Sequence, residues 1–215
     1  MEHVQRSEWV FPIFIIPKKD GRVRWVSDFR KLNQLLKRSR YFLPSIPAIM
    51  RRQCGFTFIS KVDISMGFYT FELDLSFQNL CVISTPFGLF KYKRLPMGIN
   101  NSPDFFQSVM HPLFADLSFV DCFIDDIEIF SHSSFADHLC KVHQVLLRLE
   151  RNCFTVNPLK CGWATTTTEY LGFLLTPDGI KPMSYKISSI TNVTRPTSTK
   201  QVRSFVGLVN YYKDM

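Results

Sequence analysis

The sequence of 215 residues lacks the features of a membrane or secreted protein. Its longest apolar run, Trp9–Pro17, has nine residues, two of them proline, whereas a membrane-spanning helix needs roughly 20. The start of the chain is not a charged leader followed by an apolar stretch, so no signal peptide is expected. Glycine is scarce, and no Gly/Ser linker or internal repeat occurs. These absences predict an intracellular protein, cytoplasmic or nuclear, with no membrane partner and with tightly joined subdomains.

Paired cysteines are also missing. The six cysteines stand far apart with no C-x-x-C pair, which predicts reduced thiols and not a disulfide framework. Three histidines and one cysteine do crowd together, but their spacing matches none of the usual zinc patterns, so zinc is not predicted there. These residues are His132, His138, Cys140 and His143.

Acidic residues are scarce in one part of the chain only. Residues 1–61 hold 13 basic and 4 acidic residues, whereas residues 62–215 hold 13 and 14, so the first segment carries the whole positive surplus. A polyanion bound to this segment would explain the imbalance, and a solvated basic face is the alternative. With 46% hydrophobic and 20% charged residues, the chain is expected to fold.

Strands are predicted where β-branched and aromatic residues cluster between turn residues. Residues 11–16 and 23–26 predict a hairpin around a turn at Lys19-Asp20-Gly21, and residues 57–62 predict a further strand. Residues 118–130 read as two short strands that meet at Asp125-Asp126. Residues 165–168 form a strand or turn before Tyr170. Because the clearest pairs are hairpins, the sheet is expected to be antiparallel.

Three helices are predicted from start signals and from apolar residues at helical spacing. Ser102 is expected as the N-cap of the first, with Pro103 as its first residue and Pro112 as a kink or end. Ser134 opens the second with a capping box, and the third covers residues 197–212. Their predicted inner faces are Leu139, Val142, Val145, Leu146 and Leu149, and then Val202, Phe205 and Val206. Together with the strands, these helices predict an α+β fold.

The segment Phe123–Phe130 holds two adjacent acids among residues that suit a sheet. A hairpin turn usually contains Gly or Asn, and neither is present here. Placing two like charges side by side in a buried position is costly unless a cation neutralises them. The pair Asp125-Asp126 therefore indicates a divalent metal site, with an exposed acidic turn as the alternative.

A third acid, Asp63, ends another β-rich run and is followed by Gly67, where backbone can approach a ligand. If Asp63 and Asp125 meet at adjacent strand ends, they can hold two Mg²⁺ ions about 3.5–4 Å apart, as in phosphoryl transfer. Because successive strand side chains face opposite ways, Asp125 is predicted as the direct ligand and Asp126 as the supporting one.

Seven motifs occur in the order characteristic of one family. They are Pro17-Lys18-Lys19-Asp20-Gly21, Arg24 with Asp28–Asn33, Asp63–Phe68, Thr85–Gly88 with Leu95–Gly98 and Ser102–Gln107, Phe123–Asp126, Asn157–Cys161, and Glu169–Gly172. Each motif alone is weak evidence, but the ordered set is specific. From Trp9 to Tyr212 the chain resembles the reverse transcriptases of gypsy-type LTR retrotransposons, relatives of the retroviral enzymes.

The resemblance implies a right-hand polymerase fold, with an antiparallel palm sheet backed by helices. Residues 1–62 would be part of the basic fingers, and residues 63–178 the palm with some fingers elements. Residues 179–215 would begin a truncated thumb. A ribonuclease H and an integrase, normally joined to such a domain in one polyprotein, are not found in these residues.

The resemblance also implies residue roles. Asp63, Asp125 and Asp126 would be catalytic metal ligands. Nucleotide binding would involve Lys18, Arg24, Met66, Gly67, Phe68 and Met97, with Phe68 excluding a ribose 2′-OH. Lys160 would donate a proton to pyrophosphate, and Tyr170, Leu171 and Gly172 would contact the primer. Alternatives from the residues alone are solvated surface for Lys18, Arg24 and Lys160, and an ordinary core position for Phe68.

The implied activity is RNA-directed DNA polymerisation with two Mg²⁺ ions, or Mn²⁺ in their place. Its partners would be an RNA template, a DNA primer or RNA–DNA duplex, and deoxynucleoside triphosphates. A catalytically weak or inactive retroelement remnant that binds nucleic acid is the alternative, and another metal-dependent phosphotransferase is a third. Two departures from the family pattern lie near the acids: Phe123 replaces the commoner Tyr, and Glu128 stands where an apolar residue is usual.

Overall fold

The computed structural model describes residues 1–18, 21–44, 49, 55–184, 187–188 and 192–210. The predicted turn residues Lys19 and Asp20, and the end of the last predicted helix at Tyr211 and Tyr212, lie outside the described residues. The strands are β1 Glu2–Val4, β2 Ile13–Pro17, β3 Val23–Ser27, β4 Phe58–Asp63, β5 Val82–Thr85, β6 Gly88–Lys91, β7 Val120–Phe123, β8 Asp126–Ser131, β9 Gly162–Thr165, β10 Thr168–Tyr170, β11 Phe173–Thr176 and β12 Gly179–Pro182.

The helices are α1 Arg30–Leu35, α2 Leu75–Leu80, α3 Ser102–Phe114, α4 Phe135–Arg151 and α5 Thr199–Asn210, and a 3₁₀ turn covers Gly67–Thr70. All the strand pairs among these elements are antiparallel. The predicted α+β class is therefore confirmed. None of the helices in the described ranges is long and apolar enough to cross a bilayer.

The central sheet has the strand order β7-β8-β4-β9. Because strand side chains alternate, Val62, Ile127 and Ile129 face one side, where they pack with residues of α3 and α4 in the largest hydrophobic cluster. Ile59 and Phe130 face the other side and pack against residues of β10 and β11. The sheet is thus buried on both faces over much of its area.

Two further sheets flank this centre. The β10-β11-β12 sheet covers the second face of the central sheet. The β1-β6-β5 sheet and the β2–β3 hairpin are built mainly from the first 91 residues. The last two share a third cluster, formed around Phe11, Phe29, Ile83 and Tyr92. The hairpin predicted from residues 11–16 and 23–26 is confirmed as the pair β2 and β3.

Helix α4 begins as predicted. Ser134 is its N-cap, and the Ser134 hydroxyl accepts a hydrogen bond from the Asp137 backbone N–H at 3.3 Å. The predicted inner face is wrong at Leu139, which is 48% exposed, whereas His138 is fully buried. A buried histidine was not expected, because its polar ring needs hydrogen-bond partners that lie on other strands.

Two further helix predictions are wrong. The N-cap of α3 is Asn101, and the hydroxyl of Ser102 instead donates to the carbonyl of Pro96 at 3.2 Å. The stripe predicted as the core of α5 is largely exposed, with Val202 at 46% and Val206 at 47%, and none of the described residues of this helix is buried. Helical spacing identifies an apolar face but does not supply an element to cover it.

His138 connects α4 to the back of the central sheet. Its Nε2 lies 2.7 Å from the Ser60 hydroxyl on β4, and its Nδ1 lies 2.9 Å from the Ser131 hydroxyl on β8. Both ring nitrogens are therefore used in structural hydrogen bonds. Within the part of the chain that the structure describes, no three acidic, imidazole or thiol groups form a metal-binding group.

This histidine predicts a loss of stability at mildly acidic pH. Burial lowers the pKa of His138 below its ordinary value, so the unfolded chain takes up a proton near pH 6.5 that the folded chain does not. The free energy of unfolding is therefore expected to fall as the pH drops below about 6.5, by at most about 1.4 kcal/mol per pH unit for this group. Urea unfolding of the wild type and of His138→Gln at pH 7 and pH 5 measures this loss in the free energy of unfolding. An equal loss in both proteins would contradict the prediction.

Candidate active site

Two aspartates meet where β4 ends and β8 begins. Asp63 and Asp126 are direct partners in the antiparallel register of these strands. Side chains of such directly opposed residues lie on the same face, with Cβ atoms about 4.5–5.5 Å apart. The predicted approach of the two acidic segments is therefore observed, and it results from the pairing of the two central strands.

Asp125 lies in the tight turn between β7 and β8. Phe123 pairs with Asp126, which leaves Ile124 and Asp125 as the two turn residues. Burial raises the pKa of the Asp125 carboxyl, and the negative charges of Asp126 and Asp63 raise it further. The three carboxylates therefore interact electrostatically, although among the described residues no three acidic, imidazole or thiol groups already surround one metal position. The alternation used to rank Asp125 above Asp126 does not apply, because Asp125 is not part of a strand, so their ranking as ligands stays a prediction.

The turn has a strained backbone and a side-chain clamp. Ile124 has φ of +58°, which is unfavourable for a β-branched residue. Gln107 on α3 is fully buried, and its side-chain oxygen accepts from the Ile124 N–H at 2.6 Å while its side-chain nitrogen donates to the Cys122 carbonyl at 3.1 Å. Gln107 thus holds both sides of the turn. Gln107 is the last residue of the Ser102–Gln107 stretch of the fourth family motif, but no role was predicted for it.

Two lysines neutralise the strand-end aspartates. Lys160 Nζ lies 3.1 Å from both carboxylate oxygens of Asp63. Lys61 Nζ lies 3.1 Å from Asp126 Oδ1 and also donates to the carbonyl of Glu169 at 3.3 Å. Lys61 was not predicted as a site residue, although its position two residues before Asp63 on the same strand places both side chains on one face.

The segment after Asp63 makes a sharp turn toward α3. Met66 is exposed and has φ of +52°, and Gly67 is buried. A Cβ atom on Gly67 would lie 2.9 Å from the ring of Phe106, so only glycine fits this close approach. Phe68 is half-buried, and its ring centroid lies 5.0 Å from that of Phe106.

The remaining predicted nucleotide-binding residues lie on two other elements. Lys18 and Arg24 are exposed on the β2–β3 hairpin, which is separate from the central sheet. Met97 is about half exposed, next to Gly98, whose carbonyl accepts from the Asn33 side chain at 2.8 Å. The structure thus brings six of the predicted residues into neighbouring segments: Asp63, Asp125, Asp126, Lys160, Met66 and Gly67. Lys18, Arg24 and Met97 lie outside these segments.

A cleft of about 500 Å³ adjoins Asp126. Leu171 and Gly172 line it and form a two-residue turn between β10 and β11, both with positive φ as in a type I′ turn. Its lining residues are Lys61, Asp126, Lys160, Cys161, Gly162, Thr168, Glu169, Leu171 and Gly172. The side chain of Tyr170 is fully buried, so at this position only backbone could reach a ligand.

Glu128 is an acid in the interior, on the same strand as Asp126. It is 0% exposed, and neither of its carboxylate oxygens has a hydrogen-bond partner among the described residues. Burial raises the pKa of Glu128 well above its ordinary range. The hydroxyl of Tyr170 is also buried and has no hydrogen-bond partner in the described part of the chain, and its pKa is raised by burial and by the nearby Glu128. Glu128, the acid that departs from the family pattern, therefore lies two residues after Asp126 on β8 and on the same face of the sheet.

The donor set suits a hard divalent cation. Carboxylate oxygens are the ligands that Mg²⁺ prefers. Burial, and then the charges of Asp126 and Asp63, raise the pKa of Asp125, and a bound cation would relieve the repulsion among these carboxylates. In this structure the positive charges of Lys61 and Lys160 compensate Asp126 and Asp63. An antiparallel sheet backed by two helices thus carries aspartates at the adjoining ends of its central strands.

Comparison with known proteins identifies the family. The profile described as "Reverse transcriptase (RNA-dependent DNA polymerase)" matches residues 16–175, so the chain belongs to this family. The chain is 32% identical over 214 residues to the "Retrovirus-related Pol polyprotein from transposon 297" of Drosophila melanogaster, a match covering 96% of this chain and 20% of that protein. It is 28% identical over 204 residues to the "Transposon Tf2-3 polyprotein" of Schizosaccharomyces pombe, covering 94% and 15%. The chain thus spans about a fifth or less of these relatives.

Solved structures agree on the fold. The foamy viral protease-reverse transcriptase in complex with double-stranded DNA matches with a TM-score of 0.89 and 27% identity, covering 97% of this chain and 37% of that one. The same viral protein in complex with an RNA/DNA hybrid matches with a TM-score of 0.83 and 25% identity, covering 98% and 28%. The resemblance stated from the motifs is confirmed.

Proposed function

We propose that this chain is an RNA-directed DNA polymerase domain that adds deoxynucleotides to a primer paired with a template. The observation that carries the proposal is the direct pairing of Asp63 with Asp126, with Asp125 in the adjoining turn. Membership of the reverse transcriptase family supports the same reaction.

Asp63, Asp125 and Asp126 would hold two Mg²⁺ ions, for which Mn²⁺ could substitute. Bound there, such ions supply positive charge to the attacking and leaving oxygens of phosphoryl transfer. Lys160 contacts Asp63 and is half exposed, so its ammonium group can turn toward a leaving pyrophosphate and donate a proton.

The incoming triphosphate would be held from two sides. Lys18 and Arg24 are exposed on the basic β2–β3 hairpin, and such cations bind phosphate oxygens well. The left-handed backbone at Met66 supports donation by the N–H groups of Met66 and Gly67. Met97 would lie against the base pair, as its exposure permits.

The ring of Phe68 is proposed to exclude a ribose 2′-OH. Its packing on Phe106, with ring centroids 5.0 Å apart, restricts the orientation of the ring, which supports this role. Phe68→Ala is expected to raise ribonucleotide incorporation relative to deoxynucleotide incorporation by at least about tenfold, because the space beside C2′ opens; tenfold corresponds to about 1.4 kcal/mol. Single-nucleotide extension with each triphosphate measures the ratio. Phe135→Ala, at an exposed phenylalanine at the start of α4 and outside the family motifs, is the control. An unchanged ratio in Phe68→Ala would support the alternative of a plain core residue.

Nucleic-acid partners are proposed from the neighbours and the cleft. The foamy viral protein is described in complex with double-stranded DNA and with an RNA/DNA hybrid. We assign an RNA template and a DNA primer to this chain, with the Leu171-Gly172 turn and the Tyr170 backbone against the primer. Residues 1–62, 63–178 and 179–215 would form fingers, palm and the start of a thumb within a larger polyprotein.

Primer extension on a poly(rA)/oligo(dT) template tests the function. The expected result is Mg²⁺-dependent extension that is lost in Asp125→Asn. A well-folded chain that shifts RNA–DNA duplex in a gel but extends no primer would overturn the polymerase proposal and favour an inactive remnant that binds nucleic acid.

A further inference from the structure

Lys61 forms an ion pair with Asp126, which lies diagonally across the sheet, although Glu128 lies directly opposite Lys61. Across β4 and β8, Lys61 is the register partner of Glu128, and Asp63 is the register partner of Asp126. Directly opposed Cβ atoms are about 4.5–5.5 Å apart, whereas diagonal ones are about 7–8 Å apart. The ammonium group of Lys61 nevertheless reaches diagonally to Asp126 Oδ1 at 3.1 Å.

Glu128 is left as an unused acceptor. Both of its oxygens are buried and without hydrogen-bond partners among the described residues, which is costly for a polar group. The buried hydroxyl of Tyr170 likewise finds no hydrogen-bond partner among the residues that the structure describes, and Lys61 Nζ lies 5.9 Å from the centre of the Tyr170 ring. The ammonium group of Lys61 therefore lies over the residue that neighbours Glu128, within the same small region.

We infer that Lys61 exchanges acceptors, from Asp126 to Glu128, when a divalent cation binds the aspartates. A cation on Asp126 would compete for the carboxylate whose Oδ1 Lys61 contacts and would repel the ammonium group of Lys61. Glu128, directly opposite on the neighbouring strand, is the acceptor closest in the register, and a carboxyl group accepts a hydrogen bond in either protonation state. Glu128 and Lys61 are thus positioning residues for metal loading. The inference rests on the proposed function only in that the aspartates bind a divalent cation.

The exchange explains the acid at position 128. Without Glu128, the acceptor that Lys61 contacts besides Asp126 is the neutral carbonyl of Glu169, so no second carboxyl group on β8 draws Lys61 away from Asp126. An apolar residue there would therefore favour the ion pair of Lys61 with Asp126 and oppose the cation. The effect of Glu128 on cation affinity is accordingly expected to depend on Lys61.

Mn²⁺ binding to the whole chain, followed by the electron paramagnetic resonance signal of free Mn²⁺, tests the exchange without any catalytic readout. Glu128→Leu is expected to weaken Mn²⁺ binding about tenfold, and Lys61→Met to strengthen it several-fold. In the Lys61→Met background, Glu128→Leu is expected to change the affinity less than twofold. Glu169→Gln, which removes an exposed charge from the same cleft, is the control for general electrostatics, and urea unfolding confirms that each variant folds.

The outcomes separate the two proposals. Mn²⁺ affinity that is unchanged by Glu128→Leu, or weakened equally with and without Lys61, overturns the exchange alone. Mn²⁺ binding by the wild type that is insensitive to Asp126→Asn overturns the proposed metal site and the exchange together. A loss in Glu128→Leu that Lys61→Met abolishes supports both.

Discussion

Replacing Asp63 by Asn is expected to reduce primer extension by roughly 10³-fold or more while leaving the fold intact. Asp63 is the strand-end acid that faces Asp126 and receives both contacts of Lys160. Asn keeps the shape of the side chain but removes the charge that a catalytic cation requires, and several kcal/mol of transition-state stabilisation depend on that cation. Single-turnover incorporation of one deoxynucleotide measures the loss.

Asp116→Asn is the matched control for this variant. Asp116 pairs with Arg148 at an exposed position between α3 and β7, where an ion pair contributes little to stability. It makes the same chemical change at a distance from the aspartates, and its extension rate is expected to stay within about twofold of the wild type. If Asp63→Asn kept more than a tenth of the wild-type rate, the proposed metal role of Asp63 would be wrong.

Replacing Glu128 by Leu is expected to raise the free energy of unfolding by about 1–3 kcal/mol at neutral pH, because it removes a buried carboxyl group with no hydrogen-bond partner among the described residues. The pKa of Glu128 is raised in the folded state, so the unfolded chain releases this proton near the ordinary value of about 4.5 and the folded chain at higher pH. Glu128 therefore lowers wild-type stability increasingly as the pH rises above about 4.5, until the folded-state pKa is reached. The advantage of Glu128→Leu should grow over that range.

Urea unfolding of both proteins from pH 4.5 to pH 8 tests this expectation. Glu150→Leu, at an exposed glutamate on α4, is the control and is expected to change stability by no more than about 0.5 kcal/mol. A Glu128→Leu protein less stable than the wild type at pH 7 would contradict the prediction. Combined with weaker Mn²⁺ binding, a more stable variant would show that this acid is retained at a cost to folding.

Local patterns predicted the elements that local chemistry determines. The hairpin β7–β8 and the cap of α4 follow from alternation around an acidic pair and from Ser134 with its neighbouring residues. The meeting of Asp63 with the acidic pair was also predicted, since two β-rich runs ended in acids. Ser102 was misassigned, because a serine hydroxyl can bond to a loop carbonyl as well as to a helix N-terminus.

Features that depend on register and on side-chain conformation were not predictable. The choice of Lys61 between two acids requires knowing which residues oppose each other across β4 and β8. The clamp by Gln107 requires that α3 cross behind the β7–β8 turn, and no spacing in the sequence shows this. The exposure of α5 likewise depends on what packs against it and not on its own periodicity.

Adjacent residues of α3 touch both acidic segments. Phe106 packs against Gly67 and Phe68, in the segment that follows Asp63, and Gln107 holds the turn that carries Asp125. Helix α3 therefore supports both the segment that follows Asp63 and the turn that carries Asp125. A change in the position of α3 would therefore act on both acidic segments at once, through Phe106 on one side and Gln107 on the other.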